Sequence, residues 1–195
     1  ALGAAVVTGD NNTAVGKDAG TAITSGANNT AVGKAALDAC IDGGTNTAVG
    51  ADALSADTKG SRSVAIGTGA LEVQNFTSAT NANNVAVGFN AGGELANGTS
   101  NTFVGALAGD NTNDGVENVA IGTSALSANC ADGNTAVGKD AGEVITGSNN
   151  TVLGKSAGKS TTTGGNNLFL GKDAGLTGSP GGNFIAQSNR IVLGD

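Results

Sequence analysis

The chain has 195 residues, 34 of them Gly, with 13% charged and 3% aromatic residues and no His, Met, Trp or Tyr. A net charge of −7 leaves no basic patch for nucleic acid or an anionic membrane surface, and no stretch reaches the roughly 18–20 apolar residues that span a bilayer. Without His, neither a His-dependent triad nor the common zinc sites can form, and the Gly runs lack phosphate-loop spacing, so no catalytic residue and no cofactor are expected.

The opening ALGAAVV is too short and too poor in basic flanks for a signal peptide, and the missing Met predicts a processed protein or a piece of a longer one. A period then takes over. NNTAVGKDAG (11–20) returns as GNTAVGKDAG (133–142), with NTAVGADAL, SVAIGTGAL, NVAVGFNAG and NTFVGALAG between them. The Gly that closes each apolar motif is Gly16, Gly33, Gly50, Gly67, Gly88, Gly105, Gly122, Gly138, Gly154, Gly171 and Gly194. Six of the ten spacings are 17 and two are 16, too short for a pair of packed helices or a propeller blade. One turn of a parallel β-solenoid fits. The sequence therefore predicts an all-β chain, one repeat domain over 1–195, of about eleven stacked β-roll coils.

Columns recur within the period. Asn stands four residues before the marker Gly at Asn12, Asn29, Asn46, Asn84, Asn101, Asn118, Asn134, Asn150 and Asn167, with Ser63 and Arg190 as exceptions, and predicts a side-chain ladder. Three residues before the Gly is Thr or an aliphatic residue, and one before it is always Val, Ile or Leu. Positions two apart share one face of a strand. These two are expected to line the interior, including Thr13, Thr30, Thr47, Thr102, Val64, Val85 and Val119, and the middle residue (Ala14, Ala31, Ala48, Val152) to form an apolar outer stripe. Three residues after the Gly is always Ala, then Gly or Leu, read as a second short strand where backbones come close. The Gly columns supply corners, and Thr, Ser, Asn and Asp complete each coil with a polar corner.

The motif (N/S)-(V/T)-A-(V/I)-G-x-x-A, closest in SVAIGTGAL (63–71) and NVAIGTSAL (118–126), resembles the head repeat of YadA-type trimeric autotransporter adhesins. NNTAVGKDAG and NNTVLGKSAG also resemble repeats of phage tail-fibre shafts, and GGNFIAQSNRIVLGD is similar to the segment that closes such shafts. The resemblance implies a left-handed roll, three rolls packed around one axis, and an extracellular setting on a virion or a cell surface.

An apolar stripe on a narrow roll independently predicts lateral packing of copies, and ends without a cap predict axial joining by strand addition. The expected function is thus a non-catalytic structural fibre whose partner is itself. The alternative is a solitary or trimeric module that binds cell-surface glycans or, through Thr ladders, ice.

Other candidates have plainer readings beside them. Cys40 and Cys130 lie five coils apart, too far for an internal disulfide; an intersubunit bond is weighed against a role as small buried hydrophobes. Lys17, Lys34, Lys139, Lys155 and Lys172 follow the marker Gly, Asp18, Asp52, Asp140 and Asp173 occupy the next position of the repeat, and together they form a charged strip best read as a solvated face with weak ion pairs. DNTNDG (110–115) raises calcium, but Asn and Asp suit turns without a metal. Sequons start at Asn11, Asn28, Asn75, Asn97 and Asn149. Insertions near 72–83, with Phe76, and 176–188, with Pro180, Phe184 and Ile185, break the period and offer binding loops. Phe89, Phe103 and Phe169 stand out in an aromatic-poor chain and are assigned to grooves between rods.

Overall fold

The computed structural model describes residues 7–176 and 185–194; Pro180 and Phe184 of the second insertion, and most of the opening stretch, lie outside them. The described chain is all β. Its strands are β1 (Thr13–Val15), β2 (Thr30–Val32), β3 (Thr47–Val49), β4 (Gly60–Ser61), β5 (Val64–Ile66), β6 (Thr80–Asn81) and β7 (Val85–Val87). They continue with β8 (Thr102–Val104), β9 (Val119–Ile121), β10 (Thr135–Val137), β11 (Thr151–Leu153), β12 (Leu168–Leu170) and β13 (Ile191–Leu193). Eleven of these form one parallel sheet, in which each residue pairs with its counterpart one coil on, as in Thr13↔Thr30, Ala14↔Ala31 and Val15↔Val32. β4 and β6 form a small separate sheet that ties the 72–83 insertion to the coil before it. Eleven layers at about 4.8 Å give a rod about 50 Å long.

The polarity of the strands is the reverse of the expectation. The middle residue points inward: Ala31, Ala48, Ala65, Ala86, Phe103, Ala120, Ala136, Val152 and Phe169 are fully buried. The first and third residues point outward, so the Thr and Val expected in the interior form the outer surface. Phe103 and Phe169 accordingly fill the core and not grooves between rods. A second correction concerns the segment after each marker Gly. It is a run of turns, not a strand, because a left-handed residue recurs two places after the Gly (Asp18 at φ 59°, Ala35 at 52°, Asp52 at 57°) and bends the chain out of an extended path.

The invariant Ala three places after each Gly is buried throughout, from Ala19 to Ala174. The residue after it is Gly or Leu. Leu37, Leu54, Leu71 and Leu126 are buried in coils whose inward strand residue is Ala. Gly109 and Gly158 occupy the same place in the coils of Phe103 and Val152, where a larger strand residue takes up the volume. At the corners, an ideal Cβ on Gly105, at φ +134°, would stand 2.7 Å from the carbonyl carbon of Gly122 in the next coil. No other residue fits so tight a stack.

The Asn ladder forms as expected and joins successive coils twice. Asn101 Oδ1 accepts from the backbone N–H of Asn118 at 2.9 Å, while its Nδ2 donates to the Gly115 carbonyl at 2.8 Å. The same two bonds run from Asn29 to Asn46 N–H and the Gly43 carbonyl, and from Asn150 to Asn167 N–H and the Gly164 carbonyl. Arg190, the second exception, still takes its place by donating its backbone N–H to Asn167 Oδ1 at 3.0 Å.

Candidate functional site

The outward columns form one continuous surface along the sheet. Each of the eleven strands contributes two outward residues, and all of these positions hold Thr, Val, Ile or Leu, with no charge anywhere in a chain of net charge −7. Short strands in strict register hold the two columns about 7 Å apart and each layer about 4.8 Å from the next. The aliphatic groups are open to solvent: Val15 is 58% and Leu153 47% exposed, and Ile66, Ile121 and Leu170 are also exposed. At about 50 Å by 7 Å the strip is no larger than the biggest apolar patch of an ordinary soluble monomer, and what sets it apart is its unbroken, charge-free register.

Two unlike flanks border the strip. On one side lies the residue after each corner Gly. This column stacks through bonds such as Ala35 N–H to the Lys17 carbonyl (2.8 Å) and Asp173 N–H to the Lys155 carbonyl (3.0 Å). It holds Lys17 and Lys34 near one end, Lys139, Lys155 and Lys172 near the other, and the exposed ring of Phe89 midway. On the other side lies the residue five before each Gly, stacked by bonds such as Thr45 N–H to the Ala27 carbonyl (2.9 Å). Here stand Asn11, Asn28, Asn149, Asn166 and Asn189, with Arg62 and Glu117 between. A depression of about 370 Å³ runs between this flank and the strip, lined by Asn149, Thr151, Asn166, Leu168, Asn189 and Ile191, among others.

The Lys/Asp strip is a solvated face. Lys17–Asp18 and Lys34–Asp52 approach to 3.6 Å, Lys139–Asp140 to 3.9 Å and Lys172–Asp173 to 3.0 Å, in largely exposed geometry of small energetic value. The five sequon Asn residues are all exposed.

Cys40 and Cys130 are free and face the interior, in the column of Ile23, Leu95 and Ile145. Burial pushes the Cys40 thiol up to about 12, helped by the nearby Asp57 charge, and pushes Cys130 up as well. A buried thiol held protonated is a poor partner for oxidation, so the intersubunit disulfide does not suit this fold. In DNTNDG the side chains bind neighbouring coils: Asn111 donates to the Ser127 carbonyl and Asp114 accepts from Asn97. Among the described residues no group of three His, Cys, Asp or Glu side chains converges.

Sequence reasoning missed one buried cluster. Ser63 breaks the Asn ladder because its hydroxyl is too short to bridge layers. Gln74 fills the gap: its Nε2 donates to Ser63 Oγ at 3.1 Å and Asp57 Oδ2 at 2.6 Å, and its Oε1 accepts from Asn84 Nδ2 at 2.8 Å. Asp57 also accepts from the backbone N–H groups of Gly60 (2.8 Å) and Phe76 (3.2 Å), which pins the start of the 72–83 insertion. The signal was present as Asp57 and Gln74 in a column otherwise held by Ile, Leu, Cys and Thr.

No family model matches the chain, and neither a curated protein nor a solved structure matches it.

Proposed function

We propose that the chain is a structural, non-catalytic component of an extracellular fibre or filament, a shaft segment whose coils supply length and whose outer face packs against further copies. The observation that supports this reading is the charge-free strip of Thr, Val, Ile and Leu along the outer edge of eleven strands. Removing such a strip from water stabilises association at about 25 cal/mol per Å² of apolar surface. Among the described residues β1 and β13 are the edge strands of the sheet, and an exposed strand edge suits joining by strand addition. The extracellular setting rests on the resemblance of the repeats to adhesin heads and tail-fibre shafts.

One observation favours a second reading, a solenoid that binds a glycan or ice by the same face. Thr13, Thr30 and Thr47 stand in three successive layers of a column that faces outward, so their hydroxyls form a regular ladder toward solvent. Negative-stain microscopy with mass photometry separates the two. Rods of multiple chain mass, or filaments, support the structural reading; monomers at micromolar concentration overturn it in favour of the binding solenoid.

A further inference from the structure

We propose that the chain binds an acidic saccharide, a sugar that carries one carboxylate, in a polar depression beside the 72–83 insertion. The proposal goes beyond the fibre reading, because the depression takes no residue from the outer strip.

Departures from the repeat gather at this place. Arg62 stands in a column that holds Asn28 and Thr45 in the two coils before it and Asn83 and Ser100 in the two after. It keeps left-handed backbone at φ 65°, which Asn accepts more readily than Arg. Ser63 beside it breaks the Asn ladder, and the insertion lies in the next coil. Within the insertion, β6 pairs with β4 and so sets Asn81 beside Ser61. A shaft needs none of these changes, and function is expected where a chain departs from the pattern of its fold.

The depression has a volume of about 310 Å³ and spans four coils, from Asn28 through Thr45 and Arg62 to Asn81. Polar groups around it are left over from the fold. Among the described residues the Arg62 guanidinium has no ion pair and the Asn81 side chain no hydrogen bond. Asn28 Oδ1 accepts from Asn11 at 3.2 Å, which leaves its Nδ2 to donate. Ser61 Oγ accepts from the Gly44 N–H at 3.0 Å and keeps its own hydrogen. Asp42 Oδ1 accepts from the Ser25 hydroxyl, which leaves Oδ2 as an acceptor.

This set selects a class of ligand. A planar carboxylate takes two parallel hydrogen bonds from a guanidinium such as that of Arg62. Sugar hydroxyls both donate and accept, so they match Asp42 Oδ2 and the amides of Asn28 and Asn81. A phosphate dianion would be opposed by Asp42. A nucleobase would find no ring to stack on, since the lining holds no aromatic residue. A neutral sugar would leave Arg62 unused.

Titration calorimetry with trigalacturonic acid and with sialyllactose tests the site and separates two sources of the same chemistry, a uronic and a sialic acid. At least one should bind saturably, and its methyl ester, which lacks the charge, about tenfold more weakly. Arg62→Gln should weaken binding about tenfold and Asn81→Ala less. Arg190→Gln, at the other Arg of the chain, should leave it unchanged. All three side chains are exposed, so each variant should melt as the parent does. Backbone amide shifts on binding should gather at Ser61, Arg62 and Asn81 in NMR spectra of the parent. No saturable binding of either acid at millimolar concentration overturns the proposal. So do equal affinities for acid and ester, equal losses in the Arg62 and Arg190 variants, or shifts that gather elsewhere.

Discussion

The ring of Phe103 occupies the space where a side chain on Gly109 would stand: a Cβ there would come 2.6 Å from Phe103 Cε1. In other coils the same two places hold Ala31 with Leu37 and Ala48 with Leu54. Between these coils the large residue moves from strand to turn, whereas Ala86 with Gly92 and Ala136 with Gly142 are small at both places, and a Cβ on Gly92 would meet Phe103 and Leu71, one on Gly142 Ile145 and Leu126.

That exchange can be engineered. Phe103→Ala should cost about 3–5 kcal/mol through the cavity it leaves. Gly109→Leu alone should cost at least ~3 kcal/mol by overpacking against the ring. The double variant recreates the Ala/Leu pair and should recover most of the loss, since Leu37 and Leu54 tolerate φ of 53° and 51° at this place. Chemical denaturation of the four proteins checks this; additive losses would contradict it.

The ladder offers an internal comparison. Asn101 makes both of its bonds to the next coil, whereas Asn118 donates to none through its buried Nδ2, in front of a coil that is 16 rather than 17 residues long. Asn101→Ala should cost about 2–4 kcal/mol, because it leaves both an N–H and a carbonyl unpaired. Asn118→Ala orphans only the Asn134 N–H and should cost about half as much. Urea midpoints measure the difference, and equal losses would sink the explanation.

Gln74→Ala removes the side chain that links Asp57, Ser63 and Asn84. A loss of about 2–4 kcal/mol is expected, with new protease cleavage between residues 76 and 83 as the insertion loses its anchor. Unchanged proteolysis would show that backbone bonds to Asp57 suffice.

Asp38 carries a pH dependence. Burial, and then the Asp52 and Asp18 carboxylates in the adjoining coils, push its carboxyl above the ordinary value. A raised acid binds its proton more tightly in the folded chain, so stability is gained below the unfolded value and lost as pH rises through the folded one. Asp38→Asn should therefore raise the melting temperature slightly at pH 7 and leave it unchanged near pH 3. A lower melting temperature at pH 7 would contradict the sign.

The period, the coil length, the Asn ladder and the corner Gly residues were legible because each recurs at fixed spacing in residues with one physical job. The inside and outside of the strands were not. In TAV, VAI and TFV both faces are apolar, so alternation carries no signal, and larger Val was assigned to the core over smaller Ala. The clue lay across the coil, in Phe103 with Gly109 and Phe169 with Gly175, which only an inward middle residue explains. Asp57 and Gln74 were missed because a buried polar pair is read from contact, not from period. The turns after each Gly are visible in Asp18, Asp52, Asn90, Asp140 and Asp173, residue types that accept left-handed backbone, but the Ala and Leu beside them read equally well as a short strand.

The most direct test of the outer face as the assembly surface is sedimentation velocity of the parent chain beside a Val87→Glu/Val104→Glu variant. Both residues point outward from neighbouring strands, so the variant should keep its melting temperature. The account predicts a parent that sediments as an oligomer and a variant at single-chain mass. A monomeric parent, or a variant that assembles as the parent does, would contradict it.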